Sequence, residues 1–254
     1  MGPALAPREP PSRTRADVFL LVSVGVTAAL WLVPYGRWIG YPLALLSTLV
    51  HELGHGVAGV MVGGRFEAFE MWSNGAGVAH VSGYDGRLAR AFESAGGLVG
   101  PACAAALGFA MARGERRARG MLLTLGVLLL VADVLVVRSA FGLAFVTLFA
   151  LVLLWVGTRA GGWASQLTLL FLSVQLALSV YSRGDYLFTD TANLGGSSMP
   201  SDVANMASAL LLPYWFWGLL CGAFSAAVLV VGAWAFLSRA RRDRTGASRP
   251  LPRA

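Results

Sequence analysis

Long apolar runs, interrupted by short arginine-bearing joints, set the rhythm of this chain. They fall at about residues 18–34, 42–62, 94–112, 120–137, 139–158, 163–181 and 210–237. A run approaching ~20 apolar residues spans the hydrocarbon core of a bilayer as a helix. The pattern predicts an all-α polytopic membrane protein with about six to seven transmembrane helices. Two stretches break the rhythm. Residues 63–83 are bracketed by glycines, carry Phe, Trp and Val, and centre on Asn74-Gly75. Asn-Gly between such runs favours a tight hairpin turn, so a small β-hairpin is expected over 66–82, after the second helix. Residues 182–206 are polar, with three aspartates and a Gly-Gly-Ser-Ser-Met-Pro turn. They read as a loop running into a helix from Asp202 to Leu212. The Pro- and Arg-rich residues 1–16 and the basic residues 239–254 read as disordered tails flanking a membrane-embedded domain, 17–238.

Composition strengthens this picture. Of 254 residues, 56% are apolar and only 13% are charged, which argues against a soluble domain and against disorder. The net charge is +7, and all 20 basic residues are arginine. These arginines lie between the apolar runs and in the tails rather than along one face. They are expected to set topology and meet lipid headgroups, with no nucleic-acid partner. Cys103 and Cys221 lie inside apolar runs, so no disulfide framework is expected. Arg8, Arg13 and Arg15 before the run 18–34 resemble a signal sequence, but no A-x-A-like cleavage site follows, so a retained span is expected. Trp31, Tyr35, Trp38 and Tyr41, and again Tyr214, Trp215 and Trp217, suit aromatic belts at the two interfaces. If all seven runs cross, the arginines divide 8 against 12; if 94–112 is re-entrant, they divide 17 against 3. The sharper asymmetry points to a re-entrant 94–112, with both tails and the hairpin in the cytoplasm.

Chemistry concentrates in the second run, which contains His51-Glu52-Leu53-Gly54-His55. At ~100° per residue, the two histidines of an H-E-x-x-H helix lie about 40° apart on one face, one turn apart. Two imidazoles so placed can share a Zn²⁺, and the glutamate beside them can take a proton from water activated by the metal. Residues that only pack helices would give no return on the cost of a buried acid, at least ~2.5 kcal/mol at the bilayer centre. The chain has three histidines, and two occupy this spacing. A catalytic zinc site usually takes a third protein ligand and keeps one position open. Asp202, Asp190, Asp185, Asp133 and His80 are the candidates, and residue chemistry alone leaves them open. Asp202 also suits the first turn of a helix after Pro200, Asp133 an interhelical hydrogen bond or pairing with Arg138, and His80 a surface or substrate-facing position on the hairpin.

With these pieces in place, the sequence resembles the site-2 protease family of intramembrane zinc metalloproteases, closest to a compact bacterial branch without a PDZ domain. Four segments carry the resemblance: HELGHGVAGVMVGGR, the hairpin at 66–82, SAGGLVGPACAAALG at 94–108, and SDVANMASALLLPYWFWGLL at 201–220. The resemblance implies that His51, His55 and an aspartate bind zinc and that Glu52 is the general base. Asp202 best fits the third-ligand position, with Asp190 second. The family's usual Asn-Pro-x-Asp-Gly or Leu-Asp-Gly setting is replaced here by Asp202-Val203-Ala204-Asn205. The expected activity is hydrolysis of peptide bonds in membrane-protein substrates within the lipid bilayer, in a bacterial cell membrane. A helical substrate must unwind first, and the hairpin offers an edge to hold it extended. Asn74, Asn193 and Asn205 are candidate oxyanion donors. The competing readings are a glutamate-liganded H-E-x-x-H protease, against which no E-x-x-x-D run follows, and a non-catalytic transporter or scaffold that retains the site.

Overall fold

A computed structural model describes residues 21–22, 24–27, 29, 36–182, 185–194 and 197–247. The tail 1–16, most of the run 18–34 and the last residues, 248–254, lie outside the described residues. In chain order the elements are helix α1 (Gly36–Met61), strands β1 (Arg65–Met71) and β2 (Gly77–Ser82), and helices α2 (Arg87–Met111), α3 (Glu115–Leu135), α4 (Ala140–Arg159) and α5 (Gly162–Ser182). A short helix α6 (Asp185–Phe188), strands β3 (Thr191–Leu194) and β4 (Ser197–Pro200), helix α7 (Asp202–Leu210) and helix α8 (Tyr214–Ala247) complete the chain. Among the described residues, six helices are long and apolar enough to cross a membrane: α1, α2, α3, α4, α5 and α8.

The hairpin stands where Asn74-Gly75 predicted it. Gly75 supplies the positive φ of the turn, 86°, and the Asn74 side chain accepts from the Ala76 amide at 3.0 Å. Strand alternation aims Phe69 and Met71 to one face, and both are fully buried against the helices. The main core joins them to Leu45, Leu46 and Leu49 of α1, Leu122 and Leu129 of α3, Val146 and Leu153 of α4, and Leu169 and Leu170 of α5.

The expected re-entrant segment at 94–112 is corrected. Helix α2 begins at Arg87 and runs unbroken through Pro101 to Met111. Its glycines mark close packing rather than a break. A Cβ at Gly54 of α1 would meet the Gly96 carbonyl, and one at Gly100 would lie 3.3 Å from the Val50 carbonyl oxygen. Those pairings make α1 and α2 antiparallel. Ala106 faces Gly232, and Phe109 meets Phe236 with ring centroids 6.5 Å apart, so α8 runs parallel to α2. The helix of His51 and the last span therefore run in opposite directions. The base of the hairpin lies at the end of the bundle opposite the C-terminal end of α8, while its turn reaches back along α1 to Thr48 and Tyr41. Helix α8 also continues to Ala247, into the stretch expected to be a tail.

Two features of the 182–206 segment differ from a plain loop. It contains the antiparallel pair β3–β4, with Thr191 opposite Pro200. It then ends in α7, capped by Ser201, whose side chain accepts from the Ala204 amide at 3.2 Å. Leu211 leaves α7 in the left-handed conformation, φ 64°. Val203, Met206 and Ala209 pack against Ala91 and Leu98 of α2 and Cys221 of α8. That apolar face fixes the helix, and with it the position of Asp202.

Candidate metal centre

Helix α1 carries His51, Glu52 and His55 into the protein interior, where Glu52 and His55 are each only 7% exposed. Helix α7 brings Asp202 to the same place from 147 positions further along the chain than His55. His51 Nε2 lies 3.2 Å from Asp202 Oδ2, and His55 Nε2 lies 3.4 Å from Asp202 Oδ1. The two Nε2 atoms are 3.2 Å apart. Tetrahedral zinc with bonds of ~2.05 Å would separate its ligand atoms by about 3.3 Å. The Nε2–Nε2 separation matches that edge length, and Asp202 presents one carboxylate oxygen to each imidazole at a similar distance. Asp202 Oδ2 is buried and faces His51 Nε2, a placement that suits an oxygen shared with a cation. Among the described residues, His51, His55 and Asp202 form the group that could hold a metal ion.

The other third-ligand candidates fall elsewhere. Asp190 is exposed, and its backbone carbonyl accepts from the Ser201 amide at 3.0 Å. Asp133 is buried between α3 and α4, where its carboxylate accepts from the Thr147 hydroxyl. That is the interhelical hydrogen bond, while Arg138 spends its guanidinium on the carbonyls of Val134, Leu135 and Val137. His80 is exposed on β2, opposite Ala68. The side chains of Asp185 and Asn193 lie outside the described residues. Of the oxyanion candidates, Asn74 is spent on the hairpin turn.

One partner of the site escaped the sequence reading. Glu93 of α2 places Oε1 3.0 Å from His55 Nδ1, and its own carbonyl oxygen lies 3.1 Å from the same nitrogen. Two acceptors on Nδ1 assign the ring proton there and leave Nε2 free to bind a metal. The signal was available: Glu93 is the one acid in α2, a helix apolar enough to span a membrane. Tyr84 hydrogen-bonds Glu93 in turn, and burial together with the Glu93 charge pushes its phenol above the usual range. Gly97 makes room for His55, because a Cβ there would run into the imidazole.

The hairpin forms one wall. Thr48 Oγ1 donates to the Gly75 carbonyl at 2.9 Å, tying the turn to α1. A Cβ on Gly77 would lie 2.9 Å from Glu52 Cγ, so glycine lets the strand reach the carboxylate. The outer edge of β1 is filled by the α3–α4 joint. Phe69 donates to Val136 at 2.7 Å and accepts from Arg138 at 2.9 Å, while Met71 exchanges hydrogen bonds with Ser139 Oγ. Phe69 and Met71 thus turn their backbone groups away from β2. Their partners Ala79 and Gly77 must likewise turn theirs away from β1. The Ala79 amide accordingly reaches the Glu52 carboxylate. A cavity of about 50 Å³ opens beside His51 and Glu52, bounded by Thr48, Gly77, Pro101 and Ser179.

A family model described as Peptidase M50B-like matches residues 22–232, most of the chain and every residue of this centre. The chain belongs to that family. As an M50B-like peptidase it is an integral, multi-pass membrane protein of the site-2 protease family, with the metal-dependent peptidase chemistry of that family. Comparison of this M50B-like peptidase with curated proteins and with solved structures found no match.

Proposed function

We propose that this M50B-like peptidase is a zinc-dependent endopeptidase that cleaves membrane-protein substrates within the bilayer. The observation that carries the proposal is the convergence of His51, His55 and Asp202, with one ligand atom of each within 4.8 Å of the others, beside a buried Glu52. Two imidazoles and one carboxylate are a donor set suited to Zn²⁺ and leave a fourth position for substrate or water. When bound, zinc supplies Lewis acidity that polarises a peptide carbonyl and makes water more acidic. Glu52 takes the proton from the attacking water and returns it to the leaving amine. The Ala79 amide holds the Glu52 carboxylate in place.

Substrate geometry follows from the hairpin. Because the joint at 136–139 fills the edge of β1, the edge of β2 beside Glu52 is the one left to receive an extended substrate strand. The outward backbone groups of Gly77 and the Ala79 carbonyl would hold the peptide open next to the base. The cavity of about 50 Å³ favours small side chains near the scissile bond.

The test is cleavage of a transmembrane test substrate in proteoliposomes by wild type and Glu52→Gln. The variant is expected to retain zinc and lose activity by at least the ~10²–10⁴-fold that a general base contributes. Equal cleavage by the two proteins would sink the protease assignment.

A further inference from the structure

Resting on the zinc reading above, the geometry points to Glu93 as a positioning residue that sets the orientation and donor strength of His55, with Tyr84 holding Glu93 in turn. Glu93 touches His55 twice, through Oε1 at 3.0 Å and through its carbonyl oxygen at 3.1 Å, both on Nδ1. The two acceptors have different consequences. The backbone carbonyl fixes the tautomer whatever side chain residue 93 carries. The carboxylate places a full negative charge beside the same nitrogen, where the side chains of His55 and Glu93 are only 9% and 15% exposed. An anion on Nδ1–H draws that proton and enriches Nε2, the atom that faces His51 and Asp202. At so buried a site, the charge is also felt directly by a bound dication.

The rest of the surroundings are built to keep that carboxylate aimed. The Ser94 hydroxyl approaches Glu93 Oε2 at 3.4 Å, and the Tyr84 phenol hydrogen-bonds the carboxylate from the joint between β2 and α2. On the opposite side, the absence of a side chain at Gly97 lets the imidazole lie flush against α2. Helix α2 thus grips His55 from two sides, with Glu93 holding its Nδ1 and Gly97 backing its ring. His55 is the metal-site residue that Glu93 touches directly, through both its carboxylate and its carbonyl.

The experiment is a zinc titration against a competing chelator on detergent-purified full-length protein, for wild type, Glu93→Gln, Glu93→Ala and Tyr84→Phe. The d–d absorption of Co²⁺-loaded samples is read in parallel, and circular dichroism and thermal unfolding of the metal-free proteins check the fold. Glu93→Ala is expected to weaken zinc binding ~10–100-fold, the range for loss of such an outer partner. Glu93→Gln keeps the shape and one acceptor but loses the charge, so it should fall between wild type and Ala and shift the Co²⁺ spectrum. Tyr84→Phe should weaken binding less than either. Zinc affinity and Co²⁺ spectra unchanged in a folded Glu93→Gln, or Glu93→Ala if Gln alone is folded poorly, would overturn the proposal while leaving the metal reading intact. Failure of wild type itself to bind zinc would overturn the metal reading, and this inference with it.

Discussion

Replacing Gly97 with alanine isolates the packing that shapes the centre. A Cβ at this position would lie 2.5 Å from His55 Cε1 and 2.6 Å from Cδ2, with Nε2 closer still. Ordinary contact begins near 3.4 Å, so the overlap with Cε1 alone is 3.4 − 2.5 = 0.9 Å. The imidazole cannot swing aside cheaply, since Nδ1 is held by Glu93 at 3.0 Å. Either the ring is displaced or α2 backs away from α1, and the second route opens the Gly54–Gly96 contact. Overpacking of this kind costs ~1–3 kcal/mol, against a usual domain stability of ~5–15 kcal/mol, so the variant should still fold. Displacing Nε2 by almost an ångström spoils the ligand spacing of 3.2 Å to His51 and 3.4 Å to Asp202. Zinc affinity should fall by more than the ~100-fold upper range for loss of an outer partner. Chelator competition on the purified protein measures this, beside Gly120→Ala on α3 as a control whose Cβ meets nothing within 4 Å. Wild-type zinc affinity in a folded Gly97→Ala would refute the assigned packing of His55 against α2.

Two further outcomes test the frame around the site. Ser139→Ala removes both the cap of α4, which accepts from the Gly142 amide at 3.2 Å, and the exchange with Met71 of β1. Denaturant or thermal unfolding should show a loss of ~1–3 kcal/mol, and a change below ~0.5 kcal/mol would mean that the joint does not brace the hairpin. The arginines at the end of the bundle away from the hairpin base are Arg37, Arg113, Arg116, Arg117, Arg119 and Arg159, joined by those of α8 past residue 238; the end at the hairpin base carries Arg65, Arg87, Arg90 and Arg138. The positive-inside rule then places the C-terminus in the cytoplasm and the base of the hairpin on the opposite side. Reporter fusions after residue 247 and at residue 85 should give opposite localisations, and the same localisation for both would contradict the bundle.

The parts of this molecule that were legible in the sequence are those governed by local pattern. Because a bilayer demands one uninterrupted stretch per crossing, apolar runs from 42 onward located the six described spans, though α2 starts seven residues before its run, at Arg87. H-E-x-x-H placed His51 and His55 on one face through helical periodicity alone. Asp202 was nominated by resemblance, and α7 carries it to the two histidines although the residues after it depart from the family's pattern. What stayed hidden depends on how helices dock. The glycines and Pro101 of α2 looked like a break, whereas Gly96, Gly97 and Gly100 are where α1 comes close. Glu93 could be assigned to His55 only once the antiparallel register of α1 and α2 was known. The strands β3 and β4 consist of TANL and SSMP, with no apolar alternation to reveal them.

The most direct measurement is metal content per chain in detergent-purified protein, for wild type, His55→Ala and Asp202→Ala. The account predicts about one zinc per wild-type chain and its loss in both variants, with the helical fold retained. Well-folded wild type that takes up no zinc after reconstitution, or Asp202→Ala that keeps it as tightly as wild type, would contradict the centre of His51, His55 and Asp202.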